Sequence, residues 1–132
     1  MARMAAVRNA YSNDSVVTTP ERLVTMLYDR LSRDLVGAEA AIERHDRETA
    51  NALLVHGQEI VFELLSALDT GAWESAPDLA RLYGWMVRQL VAANVEQDAA
   101  KVRHVRSLVE PLGQAWHEAA NAVATDALGA AV

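Results

Sequence analysis

Apolar residues recur along most of this chain at spacings of three and four, the pattern of helices with one buried face. The first stripe runs Leu23, Leu27, Leu31, Leu35, Ala38 and Ile42, and Val24, Met26 and Tyr28 widen it. Thr19-Pro20-Glu21 marks its start, with Thr as N-cap, proline at the first helical position and an acid in the first turn. The pattern predicts a helix to about Arg44. Asp46 then caps a second helix with the stripe Ala50, Leu53, Leu54, Gly57, Ile60, Val61, Leu64, Leu65 and Leu68. Asp69-Thr70-Gly71 closes it, the glycine being the expected C-cap. A third helix starts at Ser75 or Asp78 with Pro77 in its first turn, buries Leu79, Leu82, Tyr83, Met86, Val87 and Leu90, and ends near Asn94. The fourth opens near Asp98 and carries Val102, Val105, Leu108, Val109, Leu112, Trp116, Ala119 and Val123 on one face. Pro111 falls inside it and predicts a kink or a break.

Four long amphipathic segments joined by short links predict an all-α fold, an antiparallel up-down four-helix bundle. We read residues 1–132 as one domain. Residues 1–18 lack sustained periodicity and read as a mobile N-terminal arm, with one short helical stretch near Met4–Ala10. Over residues 125–132 the pattern weakens and the tail is expected to fray.

Composition narrows the function classes. Hydrophobic residues make up 52 % of the chain but aromatics only 5 %, a balance suited to closely packed helices. The absence of cysteine removes disulfides, thiolate metal sites and a thiol nucleophile. A net charge of −6 argues against nucleic acid or an anionic membrane as the main partner, since either calls for a clustered basic face. No apolar run approaches a membrane span and no secretion signal is recognisable, so a soluble protein of the cytosol is the expectation.

Catalytic patterns are missing. A di-metal bundle needs Glu-x-x-His pairs, but the residues three before His45, His56, His104 and His117 are Ile42, Leu53, Lys101 and Gln114. His117-Glu118 is followed by Ala119-Ala120-Asn121, so the zinc-protease spacing fails, and no nucleophile elbow or phosphate loop occurs. The histidines read as surface or packing side chains, and neither an enzyme, a metal nor a cofactor is expected. What remains is apolar surface. Met26-Leu27-Tyr28 and Tyr83-Gly84-Trp85-Met86 make the first and third helices apolar over more than one face. Either the core stripes are wide, or a groove accepts amphipathic helices from a partner.

Two segments carry a family resemblance. Ala10-Tyr11, with Ser15-Val16-Val17-Thr18-Thr19-Pro20-Glu21-Arg22-Leu23-Val24-Thr25-Met26-Leu27-Tyr28-Asp29, closely resembles the N-terminal signature of the FliS flagellin export chaperones. Leu79-Ala80-Arg81-Leu82-Tyr83-Gly84-Trp85-Met86-Val87-Arg88-Gln89-Leu90-Val91-Ala92-Ala93-Asn94 is similar to a second helix of that family. Ser66-Ala67-Leu68-Asp69 and Ala115-Trp116-His117-Glu118-Ala119 support it, so the likeness spans about residues 10–120. The chain departs from the family pattern at Arg30 for glycine, Gln89 for arginine, Trp85 for tyrosine, and Gly113 at an often basic position.

The resemblance implies a cytosolic chaperone that binds the disordered C-terminal segment of flagellin, prevents premature polymerisation and supports delivery to the flagellar type III export apparatus. It implies partner contacts by Tyr11, Val16, Leu23, Met26, Leu27, Tyr28, Leu82, Tyr83, Trp85, Met86 and Leu90, with plain core an equal reading for Tyr83 and Met86. The arm carrying Val7 and Tyr11 would cover part of the groove until flagellin arrives. Export-apparatus or regulatory proteins and a homodimer are further partners to consider. The residues alone leave open an unrelated bundle serving as an adaptor or dimerisation module.

Overall fold

The stripes described above become four helices because each can hide its apolar face only against the others. The computed structural model describes residues 20–131, and it contains α1 (Pro20–Glu43), α2 (Arg47–Ala67), α3 (Ala76–Glu96) and α4 (Ala99–Ala131). No strand occurs among the described residues. The N-terminal arm, including the expected helical stretch near Met4–Ala10, Tyr11, Val16 and the Thr19 cap, lies outside them.

The helices pack in a ring: α1 lies against α2 and α4, and α3 closes the ring against the same two. Consecutive helices are antiparallel, as their short links require. One cluster fills the centre, with Leu31, Leu35, Leu54, Leu64, Tyr83, Met86, Leu90, Val102 and Val105 fully buried. Small residues set the spacing where helices approach. At Gly113 a Cβ would already touch the Tyr28 side chain at 3.5 Å.

Two links share one construction. After α1, His45 adopts a left-handed φ of 62° while Asp46 N donates to Ala41 O over 2.8 Å and His45 N donates to Ile42 O over 3.0 Å. After α3, Gln97 does the same at φ 51°, with Asp98 N donating to Ala93 O over 3.0 Å. Each pattern satisfies carbonyls orphaned at a helix end, with a side-chain-bearing residue where glycine is usual. The aspartate that follows opens the next helix. Asp46 Oδ1 accepts from Thr49 N at 3.1 Å and Asp98 Oδ1 from Ala100 N at 2.9 Å.

Two details differ from the sequence expectation. The second helix stops at Ala67, where Leu68 turns extended and buries its side chain, so Gly71 is not its C-cap. Gly71 instead donates its N–H to Asp69 Oδ1 within a turn. Pro111 does not break α4, which is continuous to Ala131. Pro111 lies on the exposed face of that helix, whose flanks are tied to α1 by Arg103, Arg106 and His117.

Candidate partner-binding surface

The residues the sequence singled out fall into three settings. Tyr28, Tyr83, Met86 and Leu90 lie in the interior, and Leu27 is buried beside them. Burial of two phenols demands partners for both hydroxyls. The Tyr28 and Tyr83 hydroxyls bond each other at 2.7 Å, and the Tyr28 ring stands 6.4 Å from that of Trp116. Burial pushes the Tyr28 hydroxyl up to about 12, and its hydrogen bonds with Tyr83 and Trp116 offset only part of that rise. These side chains belong to the buried core.

Leu82 and Trp85 are half-buried. They lie three apart on the flank of α3 that faces α4, where Trp85 meets His104 edge-on at 5.0 Å. Leu108 and Leu112 follow His104 at four-residue steps and are also half-buried. The result is an apolar seam open to solvent along α3 and α4. The sequence placed Leu108 and Leu112 in the core stripe; their partial exposure follows from how α3 and α4 pack. On α1, Leu23 is half-buried and Met26 is 49 % exposed. Tyr11 and Val16 lie outside the described residues.

Charged residues tie the other flanks. Glu39 on α1 is almost wholly buried and accepts from Arg103 Nη1 and Arg106 Nη1, each at 2.6 Å. His56 on α2 bonds Asp34 through Nδ1, and Arg30 reaches its Nε2 at 3.3 Å. Since a guanidinium only donates, Nε2 accepts and the ring proton sits on Nδ1 toward Asp34. Arg30 thus ties α1 to α2. His117 Nε2 lies 2.8 Å from Asp29 Oδ1.

None of these groups builds a metal centre. Among the described residues no three His, Asp or Glu side chains converge as ligands. A cleft of about 650 Å³ lies between the two tight links, lined by Ile42, Glu43, His45, Arg47 and residues 96–100, a mixture of charges without a nucleophile–base pair. Among the described residues no helix is long and apolar enough to cross a membrane.

The fold defines a helical-bundle protein with a half-buried apolar seam along α3 and α4. Residues 3–123 match the family model described as Flagellar protein FliS. The chain belongs to this family of flagellar secretion chaperones. It is 34 % identical over 111 residues to the flagellar secretion chaperone FliS of Bacillus subtilis, covering 83 % of both chains. The chaperone of the same name from Campylobacter jejuni is 31 % identical, over 86 % of this chain and 90 % of that one. The Salmonella typhimurium chaperone is also 31 % identical, over 76 % of each.

Proposed function

We propose that this chain is a cytosolic export chaperone that binds the C-terminal segment of flagellin, keeps it from polymerising and supports its delivery to the flagellar type III export apparatus. The half-buried seam of Leu82, Trp85, Leu108 and Leu112 carries this reading. Such a seam lets a partner helix bury its apolar stripe at little ordering cost to the bundle. Leu23 and Met26, on the side of α1 that carries Arg30 and faces α2, are further proposed contacts apart from this seam, as are Tyr11 and Val16 in the segment before that helix. Leu27, Tyr28, Tyr83, Met86 and Leu90 hold the floor beneath these contacts. Flagellin's own assembly surface would be covered while it is bound. No step of this activity calls for catalysis by the chaperone, and release falls to the export machinery.

The test is co-expression with a flagellin C-terminal fragment, followed by titration of the purified proteins. An equimolar complex is expected, and Trp85→Ala should weaken it about tenfold or more, as loss of an aromatic anchor does. Failure to form a complex at high micromolar concentration overturns the reading. A complex indifferent to both Trp85→Ala and Leu112→Ala takes flagellin off this seam.

A further inference from the structure

Two of the chain's four histidines, His56 and His117, bond aspartates of α1. His104 on α4 has no such neighbour. Among the described residues no hydrogen bond or ion pair reaches its ring, and only its backbone carbonyl accepts a bond, from Ser107 Oγ at 2.6 Å. The ring instead meets the indole of Trp85, 5.0 Å away with the two planes 77° apart. The place of this contact gives it weight. On the flank of α3 toward α2, Asn94 Nδ2 donates to Asn51 Oδ1 at 2.7 Å. On the flank toward α4 the apolar seam stays open, and Trp85 and His104 meet across it.

The charged groups around the pair are mainly cationic. On α3, Arg81 and Arg88 stand four residues before and three after Trp85, on its side of the helix. On α4, Lys101 precedes His104 by three residues, while Arg103 turns away to Glu39 of α1. The acids nearby are engaged: Asp78 pairs with Arg81, and Glu96 with Lys101 at 3.9 Å. Among the described residues no carboxylate pairs with His104. Charging its ring therefore adds a cation to a cationic edge.

We propose that His104 is a contact residue of the seam and that the segment docked there binds its neutral imidazole, which makes docking proton-sensitive. This rests on the reading of the seam as the flagellin site. A helix laid over Leu82, Trp85, Leu108 and Leu112 also covers the imidazole beside them and strips water from it. Neutral imidazole tolerates this as an apolar body with a polar tip. The imidazolium loses its hydration and gains no anion from this chain. In the free chain the imidazolium keeps its water and lies within cation–π reach of the Trp85 indole. Both effects favour the undocked state once His104 is charged. By linkage, docking and protonation oppose each other, so docking weakens as pH falls through the histidine range and recovers as it rises.

Titration of the chain with a labelled flagellin C-terminal fragment at about pH 7.5 and pH 5.5, which span the range in which histidine ordinarily changes charge, tests it. The dissociation constant should rise about tenfold from the higher pH to the lower. His104→Gln, neutral throughout, should flatten that dependence. His104→Lys, charged throughout, should bind weakly at both values. Calorimetry near the histidine midpoint, in two buffers of different ionisation heat, should show protons released on binding by the parent and fewer by His104→Gln. A ring that only packs against Trp85 would not move that readout. His104 is exposed, and thermal melts check that each variant folds. A complex whose affinity ignores pH overturns the inference, as does one that tightens in acid or whose pH dependence survives His104→Gln in full. Those results leave the flagellin reading standing. Absence of any complex at the higher pH overturns that reading and this inference with it.

Discussion

The hydroxyls of Tyr28 and Tyr83 bond each other at 2.7 Å in the centre of the bundle, joining diagonal helices 55 residues apart in the chain. Each phenol supplies the other's partner in a place water does not reach. Ionising either would put a charge into that interior.

Tyr28 therefore makes stability depend on alkaline pH. Its ordinary value of 10.0 is raised to about 12 in the folded chain, so between these values the folded state holds the proton that the unfolded state has lost. The contribution is complete below pH 10 and falls away as pH rises toward 12, by about 2–3 kcal/mol in all. Urea unfolding at pH 8, 10 and 11 should show this loss, with a shallower fall in Tyr28→Phe.

Glu39 should be sensitive even to an isosteric change. Both its oxygens accept charge-assisted bonds from α4, and the carboxylate is buried while the arginines reach solvent. Glu39→Gln removes the charge and turns a donor toward an arginine. The expected cost is about 1–2 kcal/mol, reduced by the exposure of the arginines, and chemical denaturation measures it.

Gly57→Ala should stabilise the chain. A Cβ there meets Leu31, Leu90 and Leu35 side chains at 3.5, 3.8 and 3.9 Å, ordinary contact distances in a buried position of α2. Alanine also removes the backbone entropy cost of mid-helix glycine, a gain of about 0.5–1 kcal/mol. A raised melting temperature checks it; a lowered one would show that the leucines cannot accommodate the methyl group.

Asp46 works in the opposite pH range. Hydrogen bonds from Thr49 at the start of α2, with a smaller pull from Arg44, hold its carboxyl below the usual 3.8. The lowered value makes its contribution present above pH 3.8 and lost as pH falls through the folded value. Asp46→Asn keeps a cap acceptor and should lessen the acid-dependent drop in melting temperature between pH 5 and 3. Asp46→Ala should lower the melting temperature at neutral pH as well.

Much of the helical framework was legible because it is local. Leu31, Leu35, Leu54, Leu64 and Leu90 are at helical spacing and all are buried, and Asp46 and Pro77 mark beginnings as capping rules expect. The ends were less legible. His45 and Gln97 occupy left-handed positions without being glycine, held there by backbone bonds across each link. Leu68 leaves the helix in order to bury its side chain, a choice that depends on neighbours rather than propensity.

The sequence by itself determined the four helices, the face each turns inward, and the resemblance carried by the Val16–Asp29 and Leu79–Asn94 segments. Periodicity within a single segment suffices for that. Tertiary structure decided which apolar residues remain outside. Met26 and Phe62 stand beside buried neighbours in sequence yet emerge at the surface, and Leu82 and Trp85 stop halfway. Their exposure depends on how closely the neighbouring helix approaches. That distance is set by residues far along the chain, such as the Tyr28–Tyr83 and Asn51–Asn94 pairs.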